Sequence, residues 1–141
     1  CSVASDDLYA CLIHRFTLQP IIENSLFHGI EPKGQAGKIT VTAVSKDTAS
    51  GKILQICVTD NGIGMSSETI EKVLSGKDSA STDFFRHVGI NNVNQRIKYA
   101  YGDRYGISIT SEVGVYTAIT ITIPYELSET GGDYDKTFNS R

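Results

Sequence analysis

A chain of 141 residues is long enough for one domain with its own core and too short for two comfortable ones. At 40% hydrophobic and 21% charged residues it has the make-up of an ordinary globular protein. The formal net charge is −3 and the Lys and Arg residues are scattered, which argues against a nucleic-acid binder or a cationic membrane-surface patch.

No run approaches the roughly 18–20 apolar residues of a spanning helix. The start, Cys1-Ser2-Val3-Ala4-Ser5-Asp6-Asp7, lacks the basic and apolar regions of a signal peptide. It also lacks an initiator Met, and the chain is read as a piece of something longer. Cys1, Cys11 and Cys57 form no Cys-x-x-Cys or Cys/His cluster, so no disulfide framework or zinc site is expected, and a reducing, cytoplasmic compartment is. Cys57 lies in an apolar run and is expected to be a small core residue.

Residues 8–13 form a short apolar run suited to a strand. Residues 17–27 read as a helix, with Leu18, Ile21, Ile22 and Leu26 at helical spacing, Thr17 as cap, Pro20 in the first turn and Gly29 as terminator. Residues 39–44 alternate and are rich in β-branched side chains, hence a strand; 47–52 is a turn and 53–59 the paired strand. Ser66 or Ser67 caps a helix over 68–74, with Glu68 and Glu71 early, where the helix dipole favours acids. Residues 75–85 read as a mobile polar loop, and 91–101 as a helix ended by Gly102. Two closing strands are expected at 106–111 and 117–124, and a disordered polar tail over 126–141. Neighbouring strands with three helices predict an α+β two-layer sandwich over 1–125, its sheet mixed and largely antiparallel, its helices on one face.

Three clusters are candidates for chemistry. Asp60-Asn61-Gly62-Ile63-Gly64-Met65 follows a strand and precedes a helix. Its glycines admit close ligand approach, and the Asp60 carboxylate could accept from an exocyclic amine such as that of adenine; a plain turn fits these six residues as well. The loop is not a Walker A, since it lacks Gly-Lys-Ser/Thr. Asn24 sits mid-helix beside Gln19, Glu23 and His28, and its side-chain oxygen suits Mg²⁺, although a solvent-facing polar stripe reads similarly. Gly89-Ile90-Asn91-Asn92-Val93 begins a predicted helix, where free N–H groups favour anions, or where Asn91 or Asn92 merely caps. The polar stretch before it would suit a nucleotide lid and equally any surface loop.

In this order and spacing the three clusters resemble the GHKL ATPases, which include gyrase, MutL and the histidine kinases. Leu18-Gln19-Pro20-Ile21-Ile22-Glu23-Asn24 with His28-Gly29 is similar to the N box of LytS/YesM-type sensor histidine kinases. Residues 60–65 look like the G1 box, 89–93 with Arg96 and Tyr101-Gly102 like the G2 region, and 112–117 occupy the place of the final Gly-x-Gly-Thr. The similarity covers residues 13–124.

The resemblance implies an ATP-binding catalytic domain whose Asp60 binds the adenine amine, supported by Thr117, with Gly62, Ile63, Gly64 and Met65 around base and sugar. Asn24 would hold Mg²⁺, and His28 would be a polar or phosphate contact. Gly89, Ile90, Asn91 and Asn92 would line the phosphates under a lid of 75–87. Glu23, the carboxylate next to Asn24, would orient the attacking group, Pro20 standing where hydrolysing relatives carry an acid. The phosphoryl group would pass to a histidine in an upstream dimerising segment and then to a response regulator. The domain alone would be a monomer, the whole protein a homodimer, and the domain the cytoplasmic part of a membrane protein. Departures from the family pattern are Tyr116 in place of a glycine, His87 at the start of G2, and Phe27 at an often basic position. Tyr116 and Phe27 keep open a degenerate interaction module; another GHKL ATPase or serine kinase is a further alternative, against which Pro20 and the N box weigh.

Overall fold

The structure, a computed structural model, describes residues 18–34, 36–76 and 84–125, the last stretch with its side chains from Gly89 onward. The strand expected at 8–13, most of the loop at 75–85 and the tail from 126 lie outside these residues, as does Thr17.

Strands β1 (Ile39–Thr48) and β2 (Gly51–Asp60) form a hairpin in continuous register from Ile39↔Asp60 to Thr48↔Gly51. Both run further than expected because the turn needs only Ala49 and Ser50. Thr48 closes it: its hydroxyl donates to the Gly51 carbonyl at 2.6 Å and accepts from the Ser50 N–H at 3.3 Å, while Gly51 takes a φ of 116°. Strands β3 (Gly106–Glu112) and β4 (Tyr116–Pro124) form the second hairpin, and the sheet order is β1-β2-β4-β3. Every pairing among the described residues is antiparallel. The mixed part of the expectation therefore has no instance there.

Strand parity decides the rest. Leu54, Ile56 and Val58 on β2 and Ile119, Ile121 and Ile123 on β4 are buried together with Ile21, Val73, Ile90, Val93 and Ile97 from the helices. The helices thus cover one face, as expected of a two-layer sandwich. The other face carries Thr40, Thr42, Gln55, Thr59, Thr120 and Thr122, and the Gln55 amide donates to Thr122 Oγ1 at 3.3 Å. Cys57 belongs to this second face, half-buried with its Sγ 3.5 Å from Thr59 Oγ1, and is not a core residue. An apolar run hides parity: Ile56 and Val58 point one way, Cys57 the other.

Helix α1 spans Gln19–Asn24, starts at Leu18 without a side-chain cap, and has Pro20 in its first turn. Gly29 does not end it. The chain continues as a π-helical turn over Ser25–Ile30 and a 3₁₀ turn over Glu31–Lys33, closing at Gly34 with φ 64°. Helix α2 (Ser67–Ser75) is capped by Ser66, whose hydroxyl accepts from the Thr69 N–H at 3.2 Å, and Glu68 pairs with Lys72 at 3.0 Å.

Helix α3 spans Phe84–Tyr101 and so begins well before the expected start at 91. Gly89 is interior to it. A Cβ there would lie 3.1 Å from Pro20 Cβ, so this glycine serves the close crossing of α3 over α1, a reason that sequence spacing does not carry. Midway along it, α3 is tied to β3 by the buried Asn94, whose Oδ1 accepts the Ile107 N–H at 2.9 Å. Asn94→Ala is expected to cost roughly 1–3 kcal/mol in urea unfolding, because the Ile107 N–H loses its partner.

Candidate functional site

Asp60 closes β2 on the helix-covered face, 1% exposed. Its Oδ1 accepts the Gly62 N–H at 3.0 Å, a local turn that fixes the carboxylate. Its Oδ2 has no partner among the described residues. An unpaired buried acceptor costs on the order of 1–3 kcal/mol, which is offset only by something that donates to it.

Two glycines let the backbone close directly on that carboxylate. A Cβ on Gly29 would lie 2.6 Å from Asp60 Oδ1, and one on Gly62 would overlap the Gly29 backbone. The π-helical turn therefore passes directly over the end of β2. The loop is clasped on both sides: the Ile63 N–H donates to the Gly29 carbonyl at 2.8 Å, and the Gly114 N–H of the β3–β4 turn donates to the Ile63 carbonyl at 2.6 Å. Gly64, at φ 69°, lies against the Glu112 backbone. Asn61 serves the loop itself, its Oδ1 accepting the Lys38 N–H at 2.7 Å, and Lys33 Nζ donates to the Asn61 carbonyl at 2.7 Å. Ile63 is exposed, while Met65 packs on the core.

Asn24 is 3% exposed and its Oδ1 has no partner among the described residues; the same holds for the Oγ of the fully buried Ser25. Ser25 escaped sequence reasoning because a serine in a helix carries no signal of its own. His28 is half-buried. Glu23 is exposed, and its carboxylate accepts from Gln19 Nε2 at 2.8 Å.

On α3 the expected residues separate. Ile90 is 1% exposed and belongs to the core cluster. Gly89 packs on Pro20, and Asn92 is exposed. Asn91 is half-buried against Gly76 at the end of α2, its Oδ1 unpartnered among the described residues. Since α3 starts at Phe84, residues 89–93 lie inside the helix. Their N–H groups are not those of a helix start, and neither Asn91 nor Asn92 is a cap. The anion site at a helix N-terminus is thereby removed. The lid at 75–87 is in part helical, with residues 77–83 outside the description.

Thr117 begins the inner face of β4 directly opposite Asp60 and is 2% exposed. Its hydroxyl is 3.1 Å from Ser111 Oγ. Tyr116, one residue earlier, therefore falls on the other face, opposite Glu112, and does not crowd Asp60. Of the four buried unpartnered side-chain atoms among the described residues, three are on Asn24, Asp60 and Asn91, already singled out from the sequence, and the fourth is on Ser25.

An antiparallel sheet with helices on one face, and a buried carboxylate at a strand end, make a two-layer α+β sandwich. The chain belongs to the histidine kinase-, DNA gyrase B- and HSP90-like ATPases, whose pattern matches residues 14–127. It is 34% identical over 119 residues to the sensor histidine kinase YesM of Bacillus subtilis, covering 84% of this chain and 18% of that protein. With the sensor histidine kinase BtsS of Escherichia coli it shares 32% over 110 residues, 78% of this chain and 16% of that one. The chain spans 40% or less of these and a further curated relative. The nucleotide-free catalytic domain of the histidine kinase ThkA shares the fold, with a TM-score of 0.55 and 19% identity over 82% of this chain and 70% of that one. No helix among the described residues is long and apolar enough to cross a membrane.

Proposed function

We propose that this chain is the ATP-binding catalytic domain of a two-component sensor histidine kinase, passing the γ-phosphoryl group of ATP to a histidine elsewhere in the same protein for relay to a response regulator. The observation that carries this is the buried Asp60 carboxylate, held at one oxygen by the Gly62 N–H and unpartnered at the other, where Gly29 and Gly62 let the backbone approach closely. An acceptor of that kind fits the exocyclic amine of adenine. The relatives named as sensor histidine kinases support the phosphohistidine chemistry.

Thr117 would back Asp60, and Gly62, Ile63, Gly64 and Met65 would bound base and sugar. Asn24 fits a Mg²⁺ ligand: its buried oxygen is unpartnered, and Mg²⁺ needs only one or two protein oxygens when phosphates and waters supply the others. When bound, that ion would neutralise phosphate charge. His28 and Asn91 remain the candidates for phosphate contacts, and Glu23 for orienting the acceptor. Phosphoryl transfer asks mainly for positioning and charge neutralisation, which suits so few reactive groups. The dimerising histidine-bearing segment, the homodimer and a membrane anchor with this domain on the cytoplasmic side belong to the same proposal. Of the two residues that motivate a degenerate interaction module, Tyr116 and Phe27, Tyr116 lies on the outer face.

Titration calorimetry on the folded domain is expected to give a Kd on the order of 10⁻⁶–10⁻⁴ M for ATP with Mg²⁺. Asn24→Ala should bind ATP equally with Mg²⁺ and with a chelator. A folded domain that binds no nucleotide would sink the kinase reading in favour of the interaction module. With the acceptor segment supplied, acid-labile phosphohistidine is expected; acid-stable phosphoserine would reassign the domain.

A further inference from the structure

Among the described residues, the Ser111 side chain touches the nucleotide loop, the start of β4 and Thr117 together, and nothing in its sequence context marks it. It lies on the inner face of β3, in register with Thr117. Its Oγ accepts the Met65 N–H at 2.8 Å, donates to the Tyr116 carbonyl at 2.6 Å and lies 3.1 Å from Thr117 Oγ1.

Proton bookkeeping fixes the direction of the third contact. A carbonyl oxygen cannot donate, so the single hydroxyl proton of Ser111 is committed to Tyr116. The proton between Ser111 and Thr117 must then come from Thr117. Thr117 is left with lone pairs only. Across the β2–β4 register stands Asp60, whose free oxygen is also an acceptor. This end of the sheet therefore presents acceptors alone. A purine with an amino group at position 6 brings hydrogens to it, while one with an oxo group brings another acceptor.

We propose that Ser111 is a positioning residue that holds the Thr117 hydroxyl as an acceptor and thereby sharpens the preference of the site for 6-amino over 6-oxo purines. The inference rests on the reading of Asp60 as the acceptor for the base. With Ser111 removed, the Thr117 hydroxyl is free to turn and donate to an oxo group. Polar groups fixed in one sense discriminate strongly between such analogues.

The test is calorimetry with ATP and with inosine triphosphate on the wild type, Ser111→Ala and Ser111→Cys, each checked for folding by thermal melting. The wild type should prefer ATP. Ser111→Ala should lower that preference about fivefold to tenfold, the worth of one neutral hydrogen bond. Ser111→Cys, whose thiol is a weaker partner, should lower it by less, and carries the comparison if the alanine variant does not fold. In a Thr117→Val background Ser111→Ala should leave the preference unchanged, because its effect runs through Thr117. Equal loss for both nucleotides, or an equal change with valine at 117, would overturn the role of Ser111. A wild type without any preference for ATP would instead remove the reading of Asp60 beneath it.

Discussion

Asp60→Asn is expected to weaken ATP binding about a hundredfold while leaving the domain at least as stable as the wild type. The substitution keeps the size of the side chain, and an Asn Oδ1 can still accept the Gly62 N–H. What changes is the second position, where an unpartnered acceptor becomes an NH₂ donor facing a donor on the base. Two donors forced together in a buried site cost the hydrogen bond and the desolvation of both, roughly 3 kcal/mol or a hundredfold in affinity. Stability moves the other way, because a buried carboxylate with one unsatisfied oxygen is replaced by a neutral amide, which is less costly to bury. Calorimetry and a melting curve on the same sample check both halves. Retained ATP affinity would show that the base is held elsewhere.

Gly62→Ala is expected to be strongly damaging for the addition of a single methyl group. Its Cβ would overlap the carbonyl carbon and oxygen of Gly29 and lie 2.5 Å from the Gly29 Cα. These are backbone atoms of a helical turn and cannot rotate aside. The loop would have to lift, which breaks the Ile63-to-Gly29 hydrogen bond and moves the N–H that holds Asp60. Overpacking of this kind costs about 1–3 kcal/mol and sometimes more, and here the upper end applies. Gly29→Ala is the milder comparison. Its clash is with the Asp60 side chain, and alanine regains about 1 kcal/mol of helix propensity. The melting temperature should therefore fall clearly for Gly62→Ala and only slightly for Gly29→Ala, while both lose ATP binding. Equal melting temperatures for the two variants would contradict the difference between a backbone and a side-chain obstacle.

Much of this fold is legible from local chemistry. The period-2 pattern of β1, β2 and β4, the Ser66 cap and the Asp60 loop follow from residues within a few positions of one another. Glycines were misread whenever their reason lay far along the chain. Gly29 reads locally as a helix terminator, yet it is there because Asp60 sits against it. Gly89 reads as a helix start, yet it lies inside α3 because Pro20 packs there. The π-helical turn leaves no periodic trace over so few residues, and hydrophobic periodicity could not anticipate it. In the candidate site, Asp60 and Asn24 stand out as residue types suited to ligands, and Thr117 enters only through the family resemblance. Ser25 and Ser111 were missed because serine is common and only burial or partners give it meaning.

The meeting of Gly29, Asp60 and Gly62 at one point also constrains how such a sequence can diverge. A side chain at either glycine is tolerated only after the carboxylate or the helical turn has already moved, and neither can move while nucleotide binding is under selection. The three positions are therefore held as a block rather than one by one. A descendant that abandoned the nucleotide would be released at all three together, so side chains at 29 and 62 and a lost acid at 60 should arrive in the same lineages.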